Sequence, residues 1–484
     1  MNLENLTTSA KTLEEANQLI EELVGIVLAQ QNEMEELKQL IANLQSKNGR
    51  SSRNSSKSPS SDSEEQRKKR RKKPRSLRSK GAQLGHKKHE RALLPENEVD
   101  EIHTYYPDAQ CGCGRQIEMK EEPSCRHQVF DLPEVRYSVT EHQLFSGICI
   151  GCGEKHSASL PSWVPRGQMG AGLISTILLL SGQFHLSIRQ TQAYLKEQWQ
   201  LDFSIGAISQ AQGKSLSWLG EIYRQIGDKV RSSNVAHADE TRHFRHTSQR
   251  WLWAMVTPTL CFFMVHFSRG KKAANELLGS FKGYLVTDHY AGYNDFPKER
   301  RQLCWAHLIR HFTDISERKG KAGDVGNRLL FIAHLVFRTH HHFAAYPEKR
   351  LLYQRRMKRL RKSFQHALER GSQLVIADRT ANQCRHLLKD EMMCWTFLKD
   401  SDIPLTNNRA ESAIRPYVIW RKLSFATQSY QGDQFRPMIL TIIGTAQKLG
   451  MSTAQLLRQV CTEGLEKNKV SVKLTFSENT LPSP

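Results

Sequence analysis

The sequence predicts a multidomain protein of the α/β class, and three observations carry that reading. At about 150 residues per domain, 484 residues make about three domains, and an apolar fraction of 38% can build their cores. Between residues 235 and 304 the apolar pattern runs mostly with a strand period, interrupted by one short helical stretch. On either side of that region the periodicity is largely helical.

Composition narrows the partners. A formal net charge of +21 exceeds what solubility requires and favours a polyanion, with nucleic acid ahead of an anionic membrane. The longest apolar run, Ala171 to Leu180, contains Ser175 and Thr176 and falls short of the ~20 residues a spanning helix needs. The opening residues carry Glu4, Glu14 and Glu15 in place of the basic start and apolar core of a secretion signal. The ten cysteines are therefore expected in a reducing cytoplasm, as thiols or metal ligands.

The first segment, 1–48, is predicted to be a coiled-coil oligomerisation helix. Leu13, Ala16, Ile20, Leu23, Val27, Met34, Leu37, Ile41 and Leu44 alternate at spacings of three and four, broken only by the polar Gln30. A helix folded back on the body of the protein would show the same pattern. Residues 49–100 read as a disordered basic linker, because the Ser-rich tract from Ser51 to Asp62 cannot bury enough surface to fold alone. Within it Arg67, Lys68, Lys69, Arg70, Arg71, Lys72 and Lys73 form an unbroken cationic run. Laid on phosphates, such a run releases counterions and gives salt-sensitive, sequence-independent affinity; a solvated tail is the alternative.

Residues 101–160 are predicted to be a zinc-ribbon-like segment. Cys111 and Cys113 face Cys149 and Cys152 across a strand-like stretch, and four thiolates suit tetrahedral Zn2+. The first pair has only one intervening residue, and Cys125, His127 or His156 offer substitute ligands; reduced cysteines in a small core are the alternative. Residues 161–230 read as helix, break at Gln200–Phe203, and helix with Ser204 as N-cap, either a helix-turn-helix or two packed core helices.

From 231 to 430 three strand candidates, Val235–Phe244, Arg250–Thr257 and Leu260–Phe267, precede a helix at Lys271–Leu278 and a strand at Gly283–Thr287. A fifth short strand, Arg301–Cys304, leads into a helix bearing His307, Arg310 and His311, and a basic helical insertion spans about 315–400. Three antiparallel strands, a helix and a returning strand are the order of a ribonuclease-H-like catalytic core, in which the first and fourth strands lie side by side. That order brings Asp239 on the first strand to Asp288 at the end of the fourth, and a helix from Asn408 to Trp420 would turn Glu411 toward both. Residues 431–484 are a C-terminal helical segment and tail.

Three carboxylates so placed can share two divalent ions, probable chemistry for activating water or a 3′-hydroxyl on one side of a phosphate and stabilising the leaving oxygen on the other. Mg2+ is the expected metal, since it binds a few carboxylates and keeps its remaining sites for water and phosphate. Each residue also has a plain structural reading: Asp239 at a strand end, Asp288 as a turn former before Tyr290, and Glu411 in a capping box with Asn408. Arg415, one turn beyond Glu411, is placed to meet a phosphate. Cys304 and His307 read as support for the site or a DNA contact, with packing or a second metal pair as alternatives; Tyr293 and Trp305 are support or core.

These residues resemble the transposases of bacterial insertion sequences in family number 66. The likeness lies in Asp239-Glu-Thr241, Thr287-Asp288 with Tyr290 and Tyr293, Cys304-Trp-Ala-His307 with Arg310, and Pro404 to Glu411 with its Arg409. It continues upstream in Asn54-Ser-Ser-Lys57, Pro59 to Asp62, Gly81-Ala-Gln83, Gly85-His86 and the paired cysteines. Ser58 stands where proline is common and His289 where glycine is. The resemblance implies an Asp-Asp-Glu transposase with Asp239, Asp288 and Glu411 as its metal-binding triad, cutting element ends and joining the freed 3′-hydroxyl to target DNA. It also implies accessory proteins from the same element and work on the bacterial nucleoid. A nuclease of the same fold and a non-catalytic DNA-binding derivative are the competing functions.

Overall fold

The computed structural model describes residues 17, 20, 21, 23–34, 51, 54, 62–66, 85, 91–132, 134, 136–375, 377–467, 470 and 471, and shows a mixed α/β protein. The cationic run Arg67–Lys73 and the heptad positions Leu13, Ala16, Leu37, Ile41 and Leu44 lie outside the described residues. Residues 23–34 are helical, with Leu23, Val27 and Met34 exposed, so the described part of the apolar seam has no partner within one chain. Among the described residues, no helix is long and apolar enough to cross a membrane.

Part of the tract anticipated as a linker is anchored. Asn54 and Asp62 are buried, and the Asn54 carboxamide donates to Glu317 Oε2 at 2.7 Å. Further on, β1 (Ser146–Ile148) and β2 (Lys155–Ser157) form a small antiparallel hairpin.

The first helices are α1 (Ala171–Gly182), α2 (Ile188–Trp199) and α3 (Ile205–Arg231). Ser187 and Gln190 close a reciprocal capping box on α2, and Ser204 Oγ accepts the Ala207 N–H at 3.1 Å to start α3. Helix, break and helix are thus present, but the inner face of α3 is spent on packing: Leu219, Ile222 and Ile226 are fully buried, and Tyr223 donates to the Phe263 carbonyl.

The central sheet contains β3 (Val235–Arg245), β4 (Ser248–Val256), β5 (Cys261–His266), β6 (Tyr284–Thr287) and β7 (Arg301–Leu303), in the spatial order β5-β4-β3-β6-β7. β3, β4 and β5 are antiparallel, whereas β6 and β7 run parallel to β3. The parallel return is made by α4 (Lys271–Leu278), whose buried Ala273, Ala274, Leu277 and Leu278 give it one apolar face.

Consecutive residues of a strand point to opposite faces, and here each face feeds a different core. Leu285 joins the cluster built with α1, α3, α4, α9 (Asn408–Leu423), α10 (Tyr430–Lys448) and α11 (Thr453–Lys467). Val286 joins the other, formed by α5 (Trp305–Ser316), α6 (Lys321–Ala345), α7 (Arg350–Ser372) and α8 (Asp378–Lys389). The insertion therefore carries its own core, while the stretches before 231 and after 430 share one with the sheet. α10 also covers the sheet edge, because Thr441 and Thr445 accept the N–H groups of Phe263 and Cys261 at 2.9 and 3.1 Å.

A buried polar network ties β3 to α9 and α10. His243 Nε2 lies 2.8 Å from Asp433 Oδ1, Nδ1 meets the Tyr417 hydroxyl, and Arg245 and Arg250 each lie 3.5 Å from Asp433 Oδ2. Burial, reinforced by the Arg436 and Arg250 charges, holds the His243 imidazole down at about 4 despite Asp433. A depressed folded value means that acid protonates the unfolded chain first, so this contribution to stability is complete above pH 6.5 and lost as pH falls towards 4. Denaturant unfolding at pH 7 and pH 4.5 is expected to show a loss of roughly 3 kcal/mol from this residue, reduced in His243→Gln. Equal pH dependence in both proteins would refute the assignment.

Candidate active site

The parallel pairing of β3 with β6 builds the site. His237 is in register with Val286, so Asp239 and Asp288 each lie two residues beyond that pair, at the same end of adjacent strands. Asp239 Oδ1 accepts the Glu240 N–H at 2.9 Å, and Asp288 Oδ1 accepts that of Tyr290 at 3.0 Å.

The turn after β6 is held by Arg301, which is 1% exposed. Its guanidinium donates to Thr287 Oγ1, the carbonyls of Asp288 and Tyr290, and Asn294 Oδ1, all at 2.9–3.0 Å. The fixed fork of an arginine can serve four acceptors spread around one turn; a lysine cannot.

Glu411 stands in the first turn of α9. The capping-box reading with Asn408 is not what forms: the N-cap is Asn407, and its side chain makes no cap. Asn407 Nδ2 instead donates to the Ala238 carbonyl at 2.8 Å, its Oδ1 lies 3.2 Å from His237 Nδ1, and its backbone N–H donates to Cys304 Sγ at 3.1 Å. One asparagine thus ties the start of α9 both to β3 beside Asp239 and to the start of α5. On α5, His307 Nδ1 lies 3.5 Å from Glu411 Oε1 and Arg310 Nη2 3.7 Å from Oε2. Asn407→Ala is expected to lower catalytic rate about 10–100-fold while the chain stays folded, the usual scale for losing a positioning partner. Activity within threefold of wild type would rule out that role.

The carboxylates strain one another. Burial, then the charges of Glu240, Asp288 and Glu411, push the Asp239 carboxyl well above the usual carboxylate range. Glu240 was not singled out from the sequence; its side chain is 2% exposed and carries a salt bridge to Arg269 at 2.8 Å and a hydrogen bond from the Tyr293 hydroxyl at 2.9 Å. An inward-facing glutamate on a strand of buried residues was the available signal. Trp305, by contrast, is core, with its indole N–H on the Cys394 carbonyl.

A divalent cation fits this setting: the carboxylates repel one another, and buried Glu411 Oε1 has no hydrogen-bond partner among the described residues. Cys304, His307 and Glu411 also place ligand atoms within 4.8 Å of one another, and they are the one such group among the described residues. Cys111, Cys113, Cys149 and Cys152 do not form a second. They occupy two separate but similar turns, in which Gly114 and Gly153 take φ of +86° and +75° and donate to the carbonyls of Cys111 and Cys149. Bonds donated by Cys113 and Cys152 draw the Cys111 and Cys149 thiols below their ordinary values. Of the anticipated DNA contacts, Arg310 sits beside Glu411, whereas Arg409 and Arg415 are exposed on α9.

Two curated relatives from Sinorhizobium fredii (strain NBRC 101917 / NGR234) are similar to this chain, and both are described as uncharacterized proteins. y4jD is 20% identical over 291 residues, covering 54% of this chain and 57% of that protein. y4hP is 22% identical over 317 residues, covering 58% and 57%. The chain spans a little over half the length of these relatives. A family model of unknown function matches residues 5–92. The model described as "Transposase IS66 family" matches residues 166–434, more than half of the chain and all three carboxylates, and the chain belongs to that transposase family.

Proposed function

We propose that the chain is a DNA transposase that cuts insertion-element ends and joins them to target DNA, with Asp239, Asp288 and Glu411 as its catalytic, metal-holding residues. The observation that carries this reading is the convergence of the three carboxylates from β3, β6 and α9, seen in their mutual effect on Asp239. The sheet order β5-β4-β3-β6-β7, with β6 and β7 parallel to β3, supports a ribonuclease-H-like core. Bound divalent ions, Mg2+ by the carboxylate oxygens available, supply Lewis-acid activation of the attacking oxygen and charge neutralisation at the phosphate.

The chain's own residues do the rest. Asn407 sets the start of the helix bearing Glu411, Arg301 fixes the turn bearing Asp288, and Arg269 takes up the Glu240 charge that would otherwise add to the cluster. Arg310 lies beside Glu411, where it can meet a non-bridging phosphate oxygen. DNA binding is supported by the +21 charge and by a groove of about 560 Å3 on the insertion, lined by Arg338, Arg356 and Arg359 with no acidic residue. Self-association through the heptads, zinc held by Cys111, Cys113, Cys149 and Cys152 once their two turns close together, and accessory proteins complete the proposal.

The test is strand cleavage and joining on a labelled duplex carrying the element's ends, with Mg2+ and the accessory proteins. Joining that is lost in Asp239→Ala, Asp288→Ala and Glu411→Ala alike supports the reading. Cleavage without joining would make the chain a nuclease, and activity surviving all three changes would reject the site.

A further inference from the structure

Helix α9 has two flanks. Ala410, Ile414 and Tyr417 are buried on its inner face, with Glu411 and Arg415 projecting to one side and Asn408, Arg409 and Ser412 to the other. That second flank borders a cavity of about 560 Å3 closed by the start of α10's last turns and by the loop after α1. Three features of this cavity have no structural use within the chain.

First, its cations are unbalanced. Arg409 and Lys448 both line it, no acidic residue does, and Arg409 makes no ion pair among the described residues. Lys448 is held only by the carbonyls of Thr257 and Pro258, and burial, helped by the Arg409 charge, draws its ammonium below the ordinary value. Second, two buried polar atoms of the lining, Gln183 Oε1 and His185 Nδ1, have no hydrogen-bond partner. Third, His185 is held at φ +62°, a left-handed backbone that disfavours any side chain, with its ring stacked on Trp420 at 5.6 Å. A strained residue, orphaned acceptors and uncompensated cations in one cavity mark a place shaped for a missing ligand.

We infer that this cavity binds a single unpaired nucleotide of the DNA strand that passes the active site. Its phosphate pairs with Arg409 and Lys448, and its base presents an edge to Gln183 and His185. The Gln183 carbonyl accepts a hydrogen bond, so the site favours a base with an exocyclic amino group, adenine or cytosine, over thymine, which offers a carbonyl there. The cavity lies on the flank of α9 away from Glu411, so the nucleotide it takes is a neighbour of the scissile phosphate and not the reacting one. This rests on the DNA reading above, and its test is a binding measurement without divalent metal, separate from catalysis.

The full chain is titrated with three otherwise identical duplexes: fully paired, with one unpaired adenine, and with one unpaired thymine. The expected order is unpaired adenine about tenfold tighter than unpaired thymine, the worth of one such hydrogen bond. Gln183→Leu should bring that ratio close to one while the melting temperature holds or rises, because it removes an unpaired buried carbonyl. A purely structural glutamine would instead lose stability and leave the ratio alone. Arg409→Gln should weaken both unpaired duplexes. Equal affinity for all three duplexes, or a ratio that survives Gln183→Leu, overturns the nucleotide site alone; no binding to any duplex overturns the DNA reading with it.

Discussion

Asp239→Asn is expected to lower metal-dependent strand cleavage by roughly 10³-fold or more and, at the same time, to stabilise the fold. The two effects have one cause. The carboxyl is pressed by burial and by Glu240, Asp288 and Glu411, an arrangement that costs stability until a cation neutralises it. Asparagine keeps the shape and the acceptor for the Glu240 N–H but removes the charge. Without divalent metal the variant should be more stable than wild type by about 1–3 kcal/mol, read from thermal or denaturant unfolding near neutral pH. Mg2+ at about 100 times its Kd should then stabilise the wild type by about 2.7 kcal/mol and the variant far less. A variant that loses activity and stability together, and gains as much from Mg2+ as the wild type, would show Asp239 to be a structural residue.

Arg301→Ala should be the most damaging change outside the carboxylates. It leaves Thr287 Oγ1, Asn294 Oδ1 and two backbone carbonyls without their donor in a buried turn. At about 1–3 kcal/mol for each group that water does not reach, a loss of at least about 3 kcal/mol is expected. Activity should fall further than stability explains, because Asp288 sits in the released turn. Arg301→Lys should recover less than half of the loss, since an ammonium cannot span four acceptors. A cost under about 1 kcal/mol for Arg301→Ala, measured by denaturant unfolding, would show that the clamp is dispensable.

The legible parts of this protein were those written in neighbouring residues. The helix Lys271–Leu278 forms with the bounds its periodicity predicts, Ser204 caps α3 as its side chain allows, and the strands between 235 and 303 fall within a few residues of their predicted places. Strand parity and order are local properties, and they were sufficient to set Asp239 beside Asp288. Glu240 could have been found the same way, as a charged residue facing inward on a buried strand.

What holds the site together was not legible. Asn407 reaches His237 and Ala238 far back in the chain, the insertion's helices supply Cys394 as partner to Trp305, and Asn54 meets Glu317. Polar residues at such positions look like solvated turns until a distant element arrives to pair with them. By itself the sequence determined the α/β class, the basic character, the strand order and the three carboxylates, because periodicity and charge are summed over adjacent residues. Only the tertiary structure decided how α9 is moored, how Arg301 grips its turn and where α10 covers the sheet edge. Those depend on which groups far apart in the chain are left without water and must satisfy one another.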